Sequence, residues 1–307
     1  LNPFSKKYLN ELDQFFKDHP EYKIVHSHLD CMAGIPLKYA KKNGIPIRIA
    51  HAHSSNQTKD KKYLLKLTFK RTIKKNATDL FACAQDAGIW MFGYDQFHVM
   101  NNAIDTKSYV VNNQTGKEVR QELKIPEDAF VVGHVGRFAP PKNHKFIISV
   151  FAEVLKEKTN AFLLLVGDGD LRREAEALTV ELGIQDNVIF AGMRSDVNRM
   201  LQAMDVFLFP SIYEGLPLSI IEAQAAGLPC LISDKVPIEC RKTDLVSQLS
   251  LNDSRSAWKN AVIDAGKVLK RDTSKEISDA GFDICKNVKW LENFYLNKYQ
   301  EVSTRYR

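Results

Sequence analysis

The chain has 307 residues, 44% of them hydrophobic and 26% charged, which is the balance of a soluble globular protein too long for one ordinary core. No run of about 18 apolar residues occurs, and the opening LNPFSKKYLN holds no apolar leader core, so neither a membrane-spanning helix nor a signal peptide is expected. The net charge of +6 is local: KDKKYLLKLTFKRTIKKN, running from Lys59 to residue 76, carries seven Lys, one Arg and one Asp, so the remaining residues net −1 (6 − 7).

In chain order, KIVHSH (23–28) reads as a strand leading to a helix over 33–42. IPIRIA (45–50) is a second strand, followed by the basic helix; TDLFACA (78–84) is a third, with a helix over 85–92. FHVMNNAID closes this half, and TKSYVVNNQTGKEV (106–119) is polar enough to serve as a linker. FVVGHVGRF (130–138) is a near-continuous apolar run, as in a strand buried on both faces of a parallel sheet. Strands AFLLLVG, NVIFAG, DVFLFPS and PCLIS then alternate with helices over 145–156, 171–182, 197–203 and 217–226, and the aromatic-rich tail is helical. This alternation predicts an α/β protein of two doubly wound domains, over 1–110 and 111–285, with a terminal helix over 286–307. Cys31, Cys83, Cys230, Cys240 and Cys285 form no CxxC pair and are expected as thiols in a reducing cytosol.

Ligands in open parallel sheets sit beyond the carboxyl ends of strands, which directs attention to VGRFAPPKN, VGDGD, AGMRSD and PSIYEGLP, four loops expected to converge on one edge. Arg137 and Lys142, five apart in a Gly/Pro-framed loop, suit a diphosphate: Arg forks across oxygens and Lys acts as a point charge. A solvated basic loop is the plain alternative. In VGDGD, Asp168 and Asp170 are spaced like a metal-binding pair, but no third carboxylate and no following Lys-Ser/Thr supports a metal or a P-loop. A strand-to-helix turn is expected instead, with Asp170 capping the helix and the glycines, Gly167 among them, admitting a ligand to the backbone. In SIYEGLPLSIIEAQAAGLP, Glu214 lies in a turn and Glu222 inside an apolar helix. The helix start near Leu216 offers free N–H groups to an anion, Glu222 suits a vicinal diol such as a ribose, and Glu214 would face the group beyond the phosphates. A capping and a surface glutamate are the alternative, which fits the apolar surroundings of Glu222 poorly.

GRFAPPKN, VGDG, FAGMRSDV and the E-x7-E of Glu214 and Glu222, in that order, resemble the retaining glycosyltransferases of the GT-B fold, more narrowly the family 4 group that uses nucleotide-sugars. YKIVHSH, IPIRIAHAHSS and TDLFACAQDAGIWMFG resemble bacterial polysaccharide-synthesis members. The resemblance implies two Rossmann-like domains flanking a cleft, with the terminal helix crossing back to the first. It implies that Arg137 and Lys142 neutralise the donor diphosphate, Glu222 holds the ribose, Glu214 contacts the sugar beside Gly215 and Leu216, and the backbone at Met193 and Arg194 borders the base. A histidine after the second strand would face the sugar; His53 is favoured over His51. No metal or other cofactor is implied. By the family pattern roughly a quarter of such an enzyme is expected before Leu1, leaving the first domain incomplete.

The implied activity is retaining transfer from a nucleotide-sugar, UDP-linked by preference, to a glycan or lipid-linked acceptor in cell-surface polysaccharide synthesis. A sugar-nucleotide epimerase of the same architecture and a non-catalytic partner subunit are the alternatives. The basic segment 59–76 interleaves Tyr63, Leu64, Leu67 and Phe69 with its lysines, and reads either as a contact for anionic membrane or as a helix packed by its apolar stripe. No nucleic-acid-binding motif accompanies the charge. A cytoplasmic protein is expected, peripheral on the inner membrane face if the first reading holds.

Overall fold

The computed structural model describes residues 4–54 and 63–305. They form two compact units, one of Leu1–Ala103 with Cys285–Arg307 and one of Ile104–Ile284.

The first unit holds helix α1 (Lys6–Asp18), strand β1 (Ile24–Ser27), α2 (Gly34–Lys42), β2 (Ile47–Ala52), α3 (Tyr63–Asn76), β3 (Asp79–Ala82), α4 (Gln85–Phe92) and the short β4 (His98–Val99). The strands are parallel and lie in sequence order, β1-β2-β3-β4. Their apolar residues alternate between two faces. Ala50, Ala52 and Ala82 pack with Leu37 of α2, Ile73 of α3 and Met91 of α4, the small strand side chains letting the helices approach. Ile47, Ile49 and Phe81 point to the other face, where Leu291, Phe294 and Tyr295 of the terminal helix cover them. Basic α3 is anchored rather than free along its described part: Ile73 is buried, Lys70 sits 4.4 Å over the Trp90 ring and donates to the Trp90 carbonyl, and Lys74 pairs with Asp95. Arg71 and Lys75 remain exposed, whereas residues 59–62 and the side chains of Tyr63 and Leu64 fall outside the described residues.

The second unit contains α5 (Asn113–Glu122), β5 (Phe130–Val135), α6 (His144–Glu157), β6 (Ala161–Val166), α7 (Arg172–Glu181), β7 (Val188–Gly192), α8 (Val197–Gln202), β8 (Val206–Phe209), α9 (Leu218–Ala225), β9 (Cys230–Ser233), β10 (Val246–Leu249), α10 (Arg255–Ala265) and α11 (Ser274–Ile277); the long α12 (Ile284–Arg305) follows. All six strands are parallel, ordered β10-β9-β8-β5-β6-β7. The order reverses between β5 and β8, and a reversal of this kind leaves a crevice beyond the carboxyl ends of the two strands. Apolar clusters cover both faces, one with Val131, Leu164, Phe207 and Ile220, the other with Val132, Phe151, Leu163 and Trp258.

The stretch 106–119, expected as a linker, is folded. Residues Thr106–Tyr109 form a 3-10 turn with Thr106 buried, and α5 starts at Asn113, whose preceding Asn112 caps it by accepting from the Thr115 N–H. The polarity belongs to a short cap and an exposed helix face rather than to a tether. Asp170 does not cap α7 either: the helix begins at Arg172 with Leu171 at the cap position, and the Asp170 carboxylate faces Arg137. Cys31, Cys83, Cys230 and Cys240 are buried and Cys285 is exposed.

Candidate active site at the strand-order reversal of the second unit

The loops expected to converge are laced by main-chain hydrogen bonds. After β5, Gly136 donates to the Val166 carbonyl at 3.0 Å and Phe138 to that of Asp168 at 3.0 Å, while Leu171 donates back to Phe138 at 3.1 Å. Gly167 donates to Gly192 at 2.8 Å, tying the loop after β6 to the one after β7, and Ile212 donates to Pro141 at 2.9 Å across the reversal. Gly167 has φ +136°, and a Cβ there would lie 2.2 Å from the Gly136 carbonyl oxygen, so two backbones touch where only glycine fits. Its glycine is therefore required by the lacing itself, whatever it also offers a ligand.

Lys142 ends a 3-10 turn, Pro140–Lys142, and Asn143 follows in the left-handed region at φ 58°, its side-chain amide donating to the Pro210 carbonyl at 3.1 Å. That turn aims Lys142 Nζ across the reversal to Glu214 Oε1 at 2.7 Å, with the two side chains only 19% and 12% exposed and the Phe209 ring 4.6 Å from the ammonium. Beneath lie His134 and His144. His134 donates from Nδ1 to the Leu208 carbonyl at 2.9 Å, and His144 stacks on Phe138 at 3.9 Å. Burial, with the neighbouring charges adding to it, holds both rings neutral; for His144 the pKa falls to about 4. Arg137 is by contrast exposed and touches Asp170 at 3.4 Å.

Pro217, buried at the N-cap of α9, leaves the first turn of that helix without a side-chain cap. Glu222 lies one turn in. Its flanking residues Ile221 and Ala223 are buried, and burial pushes its carboxyl above the ordinary range although a hydrogen bond from Tyr109 partly counters this. The Tyr109 hydroxyl donates to Glu222 Oε1 at 3.0 Å, and burial raises the phenol in turn. Tyr109 escaped the sequence reading because it lies in the stretch taken for a linker, 113 residues from its partner. The Arg194 guanidinium is committed to Asp196 at 2.8 Å and to Glu122 at 3.0 Å, whereas Met193 is 83% exposed, so this loop presents main chain and the methionine. Gly215 is exposed and Leu216 half-buried in the turn before α9.

His53 belongs to the first unit. Its ring meets His28 at 2.8 Å (Nε2 to Nδ1), and its backbone N–H donates to Asp30 at 2.8 Å. His51 is buried and its Nδ1 lies 3.1 Å from His26 Nε2.

An uncapped helix start, a lysine and a glutamate lie together at the reversal of a parallel sheet, and comparison with known proteins gives the family of the chain. The chain is 35% identical over 312 aligned residues to the "Putative glycosyltransferase EpsF" of Bacillus subtilis, covering 96% of this chain and 79% of that protein. The family described as Glycosyl transferases group 1 matches residues 116–241, the span that contains Arg137, Lys142, Glu214 and Glu222. The chain belongs to the group 1 glycosyltransferases. A further relative of this glycosyltransferase is the UDP-Gal:alpha-D-GlcNAc-diphosphoundecaprenol alpha-1,3-galactosyltransferase of Escherichia coli, 25% identical and covering 90% of this chain and 76% of that one. Among solved structures, HepE of Anabaena in complex with UDP superimposes with a TM-score of 0.76 at 18% identity, covering 93% of this chain and 82% of HepE. That likeness establishes the GT-B fold.

Proposed function

We propose that this glycosyltransferase moves a sugar, with retention of configuration, from a UDP-sugar to a glycan or lipid-linked acceptor in cell-surface polysaccharide synthesis. The observation that carries the reading is the Lys142–Glu214 pair at the strand-order reversal, at 2.7 Å and largely buried. In this reading the donor diphosphate draws Lys142 from Glu214 and lies against Arg137 and the uncapped start of α9, whose N–H groups and dipole favour anions. Glu222, steadied by Tyr109, accepts from the ribose hydroxyls, and Glu214, released from its lysine, meets the transferred sugar. Gly215 and Leu216 supply main chain to the phosphates, Gly167 keeps the floor of the loop open, and the backbone at Met193 and Arg194 borders the base.

In the chemical step the bond between the anomeric carbon and the diphosphate oxygen breaks as the acceptor oxygen bonds to the same face. The acceptor proton passes to the departing phosphate oxygen. Two cations and a helix start stabilise the developing charge at this site without a metal. UDP as the carrier is supported by the donor in the name of the E. coli relative and by the UDP bound to HepE, and the lipid-linked acceptor by the diphosphoundecaprenol in the same E. coli name. A cytoplasmic location at the membrane face goes with such an acceptor, the exposed Arg71 and Lys75 being the described cations of the basic segment left for it.

The test is incubation with UDP- and GDP-sugars in EDTA and an undecaprenyl-diphosphate-linked sugar. The expected result is a UDP-dependent product whose new linkage keeps the donor's anomeric configuration by NMR. An inverted linkage, or binding of GDP-sugars alone, contradicts the reading.

A further inference from the structure

We propose that His26, His28 and His51, at the carboxyl ends of β1 and β2, form a binding site for a late first-row divalent metal ion, with Zn2+ as the reference. The sequence carries H-x-H twice, in HSH (26–28) and HAH (51–53), and side chains two apart on a strand share a face. The parallel register sets His26 beside Ile49 and Ser27 beside Ala50, which brings His28 level with His51. The rings of His26 and His28 lie 4.4 Å apart, those of His26 and His51 5.2 Å, and those of His28 and His51 4.9 Å. One ring nitrogen from each lies within 4.8 Å of the others. Tetrahedral zinc, with Zn–N distances of about 2.0–2.1 Å, holds its nitrogens about 3.4 Å apart. His26 Nε2 and His51 Nδ1, at 3.1 Å, already have that spacing, and a small rotation of the exposed His28 ring supplies the third ligand.

His51 is only 5% exposed, so the ligand it presents, the Nδ1 that faces His26 Nε2 at 3.1 Å, is set inside the fold rather than on its surface. The surrounding contacts are those that orient metal-binding histidines. His26 Nδ1 is taken by the Tyr295 hydroxyl at 2.6 Å, and His28 Nδ1 by His53 at 2.8 Å, so both rings keep Nε2 for the ion. Burial, reinforced by the neighbouring rings, keeps all three imidazoles neutral at physiological pH, the protonation state that coordination requires. Imidazole nitrogen selects zinc, copper, nickel or iron over magnesium and calcium, and three histidines leave one tetrahedral position for water. The site adds a metal to a chain whose sequence suggested none, and it does not depend on the donor-site reading, whose groups for the diphosphate lie in the second unit.

The experiment uses the untagged full chain, stripped with EDTA, dialysed and titrated with ZnCl2 and CoCl2. The expected result is one equivalent of Zn2+ per chain by calorimetry, a tetrahedral Co2+ visible spectrum abolished by added Zn2+, and a melting temperature raised by Zn2+. His28→Ala removes an exposed ring, so the metal-free variant should melt like the wild type while losing the stoichiometric binding; His19→Ala, outside the cluster, should bind like the wild type. Tyr295→Phe should weaken binding about 10–100-fold at unchanged stoichiometry. A wild-type chain that takes up no stoichiometric Zn2+, or a His28→Ala chain that binds it as tightly as the wild type, overturns the proposal. UDP affinity of the metal-free chain reports the donor site separately.

Discussion

Replacing Lys142 by Met separates the two roles of the ion pair at the sheet reversal. Methionine keeps much of the apolar stem over Phe209 and removes the charge. At 2.7 Å and an effective dielectric near 20, the gross attraction to Glu214 is 332/(20 × 2.7), about 6 kcal/mol, most of it offset by the cost of drying two charges. Breaking a fully buried pair costs about 3–5 kcal/mol; with the side chains 19% and 12% exposed, about 1–3 kcal/mol is expected. The catalytic loss is separate: in the proposed role, as one of two cations on the leaving diphosphate, Lys142 is worth about 3 kcal/mol, or about a hundredfold in kcat/KM. UDP release from the donor measures the second quantity, and chemical denaturation the first. The double variant Lys142→Met with Glu214→Gln should recover the stability but not the activity, because the orphaned carboxylate is gone and the phosphate cation is still missing. A folded Lys142→Met enzyme that keeps kcat/KM within about threefold of the wild type, less than 1 kcal/mol, would refute the diphosphate role.

Further outcomes follow from the buried groups. Tyr109→Phe should weaken UDP binding by about 1 kcal/mol, roughly fivefold, through the lost hydrogen bond to Glu222; calorimetric affinity equal to wild type would reduce Tyr109 to a packing residue. Because burial raises the Glu222 carboxyl above its ordinary 4.5, the folded state holds that proton longer than the unfolded one, and stability falls as pH rises through the raised value. Glu222→Gln should therefore raise Tm at pH 7.5, with the gain vanishing near pH 4, and should lower UDP affinity. His144 has the opposite sign: its folded pKa of about 4 lies below 6.5, so its contribution is complete above 6.5 and is lost on acidification towards 4. At 1.36 kcal/mol per pH unit the span is worth about 3 kcal/mol, and His144→Leu should flatten the stability profile between those limits in urea titrations at stepped pH. Gly167→Ala forces a Cβ to within 2.2 Å of the Gly136 carbonyl oxygen; a loss of more than about 1 kcal/mol of stability, together with weaker UDP binding, is expected in the same titrations.

The second sheet was legible because its strands are buried on both faces, so 130–138 and the later apolar runs stand out without any partner in view. The loops after those strands, and with them Arg137, Lys142 and Glu214, were found by a topological rule that needs only strand ends. The contacts were not legible. Lys142 meets Glu214 across 72 positions and Tyr109 meets Glu222 across 113, distances over which local pattern carries no information. Polarity misled at 106–119, since a helix cap and an exposed helix face have the composition of a tether. The histidine cluster had a visible signal, one H-x-H pair ending the first predicted strand and another directly following the second, but choosing one histidine as a sugar contact hid the period-two pattern that sets four rings on one face.

The lacing of the loops by main-chain hydrogen bonds has an evolutionary consequence. Gly136, Gly167, Gly192, Pro141 and Ile212 hold the platform through atoms that every residue possesses, so the side chains standing on it are largely released from holding it up. Met193, exposed on such a loop, can be exchanged without moving its neighbours. If these loops hold the donor as proposed, a scaffold of this kind can change the donor it accepts in single steps, each step costing little stability, while the few positions that cannot drift are glycines whose absent side chains make the lacing possible.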